Sequence, residues 1–477
     1  MNIFTYLKKK GIDTVDSTFY TKIKLWDSWY RGNVAHFHSY RIYHGVGHST
    51  NCQRKSLGMA KKVCEDIADL LLNEKVKITI GDETTSAFVN KVLEDANFNV
   101  QGNEYQERKA ACGTVAYVPY LTDMEVDEDG NVISAKVKLD YVVARNIYPT
   151  AWENGRITEC LFVFEKTYKR KKYAHMQLHK TEALDDGGFQ YVIENSVVLA
   201  SDGAGKDLTE EEWNRIPFFQ GLAPRVETGS DKPQFVIDKL NIANNVDEDD
   251  SNPMGVSIYA NACDTLAKID LEYDSYASEF SLGRKRIFVA PEMLTDANGS
   301  QVFDPNDTVF YQLPEDFFKD TKEAMHEVDM KLRVTEHEDA INNDLNLLSF
   351  KCGFGTQFYR FERGNVATAT QVISENSDLY RSVCKHEIIL EDVLKDLIRV
   401  IIRLGNASKA GAFKEDTDIT IDFDDSIIED SSAERAEDRQ DVSIGVMRLE
   451  EYRAKWYGET EEQAAKKLPE QTSGVIF

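Results

Sequence analysis

Along residues 252–282, NPMGVSIYANACDTLAKIDLEYDSYASEFSL, apolar or small side chains recur at Tyr259, Ala262, Leu266, Ile269, Tyr273, Tyr276 and Phe280. The steps alternate between three and four residues, which puts all of them on one seam of a helix. Asn252-Pro253-Met254-Gly255 is turn chemistry, so the helix is expected to start there. Asp264, Asp270, Glu272, Asp274 and Glu279 lie largely off the seam and predict an acidic face. Roughly 25 helical residues would span about 37 Å. Such a helix needs neighbouring helices to cover its seam.

The same patterning divides the rest of the chain. Residues 1–35 predict two short helices, the second rich in aromatic residues, and Gly58–Asn73 repeats apolar positions with helical period. VKITIG (76–81) reads as a strand, and SAFVNKVLEDAN (86–97) as another helix. From Cys112 to about Leu199 the pattern changes to β-branched and aromatic runs, AYVPYLT, VISAKVKLDYVV, ECLFVFEKTYKR and FQYVIENSVVL, separated by Asp- and Gly-rich turns. The first 250 residues thus predict an α+β domain with an antiparallel sheet. Residues 284–294 and 301–313 predict two short strands around a DANGS turn, and Val334–Lys351 a returning helix with Ile341, Leu345 and Leu348 on one face. After a glycine- and aromatic-rich loop at 352–366, about 38 residues follow an almost unbroken helical pattern. DITIDFDDSII then reads as a strand, and a charged tail as short helices.

Composition narrows what such a protein can do. The chain carries 82 acidic against 56 basic residues, a formal charge of −26. Proteins that grip DNA by neutralising phosphates are basic, so overall charge cannot hold DNA here. The seven scattered cysteines never take CxxC spacing and suit reduced thiols. MNIFTYLKKKG lacks the apolar core of a signal peptide, and no run reaches the ~18 apolar residues of a membrane span.

Candidate chemistry is sparse. His36, His38, His44 and His48 cluster near Cys52, and imidazole is the usual zinc ligand. The stretch reads as a β-hairpin whose alternation scatters the rings, so surface or interface histidines are expected and no metal. Ser201–Lys206 imitates a phosphate loop but has Ala200 in place of the upstream glycine and Asp207 where a magnesium-binding hydroxyl belongs. Cys384, His386 and Glu387 crowd one helix, whereas a nucleophile and its base normally converge from separate elements. No catalytic set and no cofactor are expected. Gln357, Tyr359, Arg360, Arg363 and Asn365 are types that touch phosphates, although an ordinary surface loop has the same composition. Lys169-Arg170-Lys171-Lys172 reads as a solvated strand end.

Taken in order, GMAKKVCEDIADLLLNEKVKI (58–78), NPMGVSIYANACDTL (252–266), LLSFKCGFGTQFYRFE (347–362), TATQVISENSDLYRSVCKHE (368–387) and IDFDDSIIEDSSAERAEDRQDV (421–442) resemble portal proteins of tailed double-stranded DNA bacteriophages, of the siphophage portal or minor capsid type. The resemblance implies a ring of about twelve copies at one capsid vertex, closed by head-to-tail contacts. It implies a mixed α/β wing (1–251 with 367–430), a two-helix stem (252–282 and 334–351), a small β-rich clip (283–333), a tunnel loop facing DNA (352–366) and a helical crown (431–477). Tyr259, Leu266, Ile269, Tyr273, Tyr276 and Phe280 would then pack the stem. Arg284, Lys285 and Arg286, at the stem–clip junction, would meet DNA or a partner protein, or form structural ion pairs.

The implied partners are double-stranded DNA in the channel, a terminase ATPase, a head-completion or adaptor protein, and major capsid and scaffolding proteins, with no membrane. The implied location is the virion, with host cytoplasm during assembly. Acidic channel walls suit sliding DNA, because they avoid a deep electrostatic well. The competing reading is a cytosolic enzyme acting on nucleic acid or cell wall, with the helices as scaffold. A generic helical scaffold would remain monomeric or dimeric.

Overall fold

Helix α9 (Ala369–Ala407) is the spine of the fold. Leu397, Ile398, Val400, Ile401, Ile402 and Leu404 make a broad buried face, with Arg399 exposed on the opposite side. So broad an apolar face must be covered, and α3 (Met59–Leu71), α4 (Glu83–Asp95) and strands of two sheets pack on it. The computed structural model describes residues 2–43, 47, 49–73, 76–126, 132–185, 187–200, 203, 205–283, 286–289, 310–312, 325–328, 331–360, 369–423, 431–457 and 461–468.

The chain opens with α1 (Ile3–Lys10) and α2 (Ser17–Tyr30), capped by the Asn2 and Asp16 side chains. The hairpin β1 (Ser39–Tyr43) and β2 (Ser49–Gln53) precedes α3, and β3 (Lys77–Ile80) precedes α4. Next comes α5 (Phe98–Cys112), which has no counterpart in the sequence pattern. Its buried residues include Gly102, Gln106 and Lys109, so its inward face is not apolar and shows no hydrophobic period. Lys109 is fully buried and pairs with Asp238 at 2.9 Å, while Gln106 donates to Asp238 at 2.7 Å.

The antiparallel sheets follow. Strands β4 (Thr114–Val126) and β5 (Val132–Val143) pair, with β12 (Val236–Lys239) on the far edge of β4. A second sheet meanders through β6 (Ile147–Glu153), β7 (Arg156–Tyr168), β8 (Lys171–Ala183), β9 (Phe189–Leu199) and β10 (Lys206–Asp207), with β11 (Arg225–Glu227) also on β9. Both faces of this sheet are covered, which explains the continuous apolar run in β7. Cys160 and Phe162 enter the main core, while alternate residues Leu161 and Val163 pack beneath α1. Strand β8 escaped the pattern because His175, Gln177, His179 and Lys180 dilute its alternation; β6 is short and was also missed. Burial among aromatic rings lowers His179 to about 3, so it is a neutral core residue.

After the short α6 (Glu210–Trp213), the expected helix from residue 255 starts later, as α7 (Cys263–Leu282). Residues 252–259 run instead as buried non-helical chain against the junction of α5 and β4. There Gly255 N–H donates to Thr114 Oγ1 at 2.8 Å and Ile258 N–H to Ala110 O at 3.0 Å. A Cβ on Gly255 would stand 2.2 Å from Gly113 O, so the glycine serves a backbone crossing rather than a helix start.

Among the described residues three short strands follow where two were expected: β13 (Arg286–Val289) lies between β14 (Phe310–Gln312), parallel, and β15 (Met325–Val328), antiparallel. Parallel pairing requires a crossover, so no simple hairpin joins β13 to β14; the DANGS segment lies outside the described residues. Helix α8 (Val334–Lys351) buries Ile341, Leu345 and Leu348. Strand β16 (Ile419–Asp422) pairs with β3, and α10 (Ser431–Ile444), α11 (Leu449–Tyr457) and α12 (Glu461–Lys467) end the described chain.

Replacing Asp238 with Ala strands the Lys109 charge in the core, and the expected loss is about 3–5 kcal/mol in denaturant unfolding. The double replacement Lys109→Met with Asp238→Leu should lose much less, because no unpaired charge remains.

Candidate functional site

Helices α7 and α8 form an antiparallel pair. Down α7, Asp264, Lys268 and Glu279 meet Lys351 (3.0 Å), Asp344 (2.8 Å) and Arg333 (2.8 Å), in reverse order along α8. The predicted seam divides along this hairpin. Tyr259, Ala262, Leu266 and Ile269 are buried in the chain's own core, Tyr273 and Tyr276 are half-buried, and Phe280 is 49% exposed. Leu271, Leu347 and Phe350 are also exposed, so the hairpin shows apolar surface to its surroundings.

Buried polar ties hold the base of the hairpin. Tyr259 donates its hydroxyl to Trp26 O at 2.8 Å. Val34 N–H donates to His38 Nδ1, so the ring proton sits on Nε2 and is donated to Asp270 Oδ2 at 2.9 Å. The other Asp270 oxygen accepts from Leu57 N–H, and Asp274 accepts from Lys55 N–H. Of the residues expected on the acidic face, Asp270 is buried and serves as a tie. A buried carboxylate survives because donors satisfy its oxygens. Sequence offers no signal for the His38–Asp270 pair, whose members lie 232 residues apart.

Glu272 and Asp344 face each other midway along the hairpin, with Lys268 beside both. Asp344 is fully buried, and Asp344 Oδ2 and Glu272 Oε2 have no hydrogen-bond partner. Burial, then the Asp344 charge, pushes Glu272 up to about 7.

The loop after α8 folds against the hairpin. Gly353, at φ +85, leaves no room for a Cβ beside Ser382 Oγ. Phe354 is buried. Tyr359, expected among exposed phosphate-contacting residues, is turned inward: its N–H donates to Ser349 Oγ at 3.1 Å and its hydroxyl to Asp66 at 2.8 Å. Burial and the neighbouring Asp66 raise its pKa, so it stays a neutral anchor. Gln357 and Arg360 are exposed and hydrogen-bonded to each other. Arg363, Asn365, Arg284 and Lys285 lie outside the described residues; Arg286 contributes backbone to β13, and its side chain is not described.

Elsewhere, His36 is exposed, and the buried His38 is committed to Asp270; His44 and His48 lie outside the described residues. Among the described residues no group of three potential ligands forms a metal site. None of the seven cysteines forms a disulfide, and burial pushes Cys112 and Cys352 up to about 12, which keeps their thiols protonated. His386 is buried and accepts from Asn241 N–H, and burial lowers it to about 3. No described helix is long and apolar enough to cross a membrane.

The chain is an α+β body of mixed helix and antiparallel sheet bearing an antiparallel helical hairpin. The chain belongs to the phage portal proteins: the family model described as phage portal protein, SPP1 Gp6-like, matches residues 10–475. No curated protein matches the chain. The family is structural rather than enzymatic, and its members are components of the virion capsid vertex.

The hairpin should soften as pH rises toward and through about 7. The folded state keeps a proton on Glu272 at pH values where the unfolded chain has lost it, so each step upward favours opening. Hydrogen exchange of α7 and α8 amides measured from acid to mildly alkaline pH checks this. Glu272→Gln should flatten the dependence.

Proposed function

We propose that this chain assembles into a closed ring, about dodecameric, that forms the DNA channel at one capsid vertex. Its hairpin α7–α8 serves as the stem and the β13–β15 module as the clip; α10–α12 belong to the crown and the remaining body is the wing. The observation that carries this reading is the family match over nearly the whole chain. The exposed apolar surface of the hairpin supports it, because Leu271, Phe280, Leu347 and Phe350 remain largely exposed in the single chain. Tyr273, Tyr276 and Phe280 pack against neighbouring copies, while Tyr259, Leu266 and Ile269 fix the stem to its own wing.

Gln357 and Arg360 stand on the channel side of the loop, with Arg363 and Asn365 further along it. The acidic balance of the chain keeps DNA from sticking. A terminase ATPase and later a head-completion or adaptor protein dock on the clip, near Arg284, Lys285 and Arg286. Major capsid and scaffolding proteins surround the ring during assembly in the host cytoplasm.

Light scattering combined with electron microscopy tests the reading. Particles of about twelve times 54.2 kDa with an axial hole are expected. A monomer at every concentration and salt, alone or co-expressed with capsid and scaffolding proteins, would sink it. If rings form, Arg360→Ala should alter DNA packaging without changing particle mass.

A further inference from the structure

The turn between β7 and β8 is a two-residue loop, Lys169-Arg170, since Tyr168 pairs with Lys171. Both loop residues have positive φ, 48° and 63°. Such hairpin turns normally use Asn and Gly, because side chains are strained there. Here two long cations occupy them. With Lys166, Lys171 and Lys172, they make an exposed basic tip. Among the described residues none of the five is in an ion pair; Lys169 lies over the Tyr168 ring, 5.1 Å from its centre, and the other four cations face solvent. The backbone strain and the unpaired charge point to a partner.

The complementary charge is on the same chain but at the other end of the strand. Asp247, Glu248, Asp249 and Asp250 form a short acidic loop just before Pro253, held by Asn252 donating to Asp247 and Ser251 to Asp249. Glu248 and Asp250 are exposed and unpaired among the described residues. Lys239 Nζ binds both Pro253 O and Gly155 O at 2.9 Å, which pins this loop beside the β6–β7 turn. From there the thirteen residues of β7, at about 3.3 Å each, carry the chain about 40 Å to the basic tip. Salt screens attraction beyond roughly 8–10 Å. The two patches therefore cannot satisfy each other within one chain.

We infer that the β7–β8 tip of one copy docks on the 247–250 loop of the next, a head-to-tail contact between copies of this chain. A donor patch and an acceptor patch at opposite ends of a rigid sheet make a heterologous interface, which closes into a ring or propagates. DNA phosphate is the other anion such a tip would attract, but the chain's net charge of −26 disfavours it, and the acidic loop has a use only in the protein–protein case. The inference rests on the ring reading and adds which surfaces meet.

A charge swap tests it, using positions that do not hold either loop together. The concentration for half-assembly of the full chain is measured by light scattering at about 0.1 M salt. Lys171→Glu with Lys172→Glu should raise it about tenfold or more, and Glu248→Lys with Asp250→Lys should do the same. Combining all four should restore assembly to within about threefold of the original, which misfolded variants would not do. If the unaltered chain assembles and neither reversal changes it, this contact is wrong and the ring reading stands. If both reversals weaken assembly and the swap fails to restore it, the patches do not meet. If the unaltered chain never assembles, both readings fall.

Discussion

One backbone crossing sets the geometry of the molecule. Gly113, at φ +83, ends α5 and starts β4, and Gly255 lies directly against it. A side chain at either position would overlap main-chain atoms, because the sites for added Cβ atoms are 2.2–2.3 Å from carbonyl oxygens. At the same point Thr114 accepts from Gly255, and Lys239 on β12 reaches Pro253. The end of a helix, two strands of the central sheet and the lead-in to α7 are thus locked together. Where the hairpin leaves the body, and at what angle, follows from this contact.

From that fixed root, the hairpin changes character along its length. Near the body it is held by buried groups with specific donors and acceptors, His38 to Asp270 and Tyr259 to Trp26. Farther out, solvent-facing ion pairs such as Glu279–Arg333 replace them, and exposed pairs contribute little. Rigidity is therefore concentrated at the base. The outer half has apolar surface but few ties of its own, so a closed assembly would add order where the single chain has least.

What the sequence made legible depended on who partners whom. Helices α8 and α9 were readable to within a residue or two, because Ile341, Leu345 and Leu348, and the apolar run from Leu397 to Leu404, face a core that any apolar side chain satisfies. The antiparallel body was readable for the same reason. Helix α5 was not, because Lys109 and Gln106 are buried against Asp238, more than 120 residues away. Charge at 270 looked like solvent exposure until His38 appeared opposite it, and Tyr359 looked like a surface aromatic until Asp66 did. Period betrays a side chain that packs against anything apolar. It says nothing about one that waits for a single distant partner.

The same distinction bears on the chain's charge. Several acidic residues find a role only in the fold: Asp270 and Asp274 receive backbone N–H groups, Asp238 holds Lys109, and Asp264 and Asp344 tie the hairpin. Carboxylates paired with cations are already cancelled in the −26 total, so the field that DNA or a partner would meet comes from the rest. The field comes from the unspent groups, and these are unevenly placed. An acidic loop lies beside the β6–β7 turn and a basic tip beyond the β7–β8 turn, separated by the length of a strand. That separation gives the sheet a polarity along β7, and a polar subunit repeating one contact naturally builds a directional assembly.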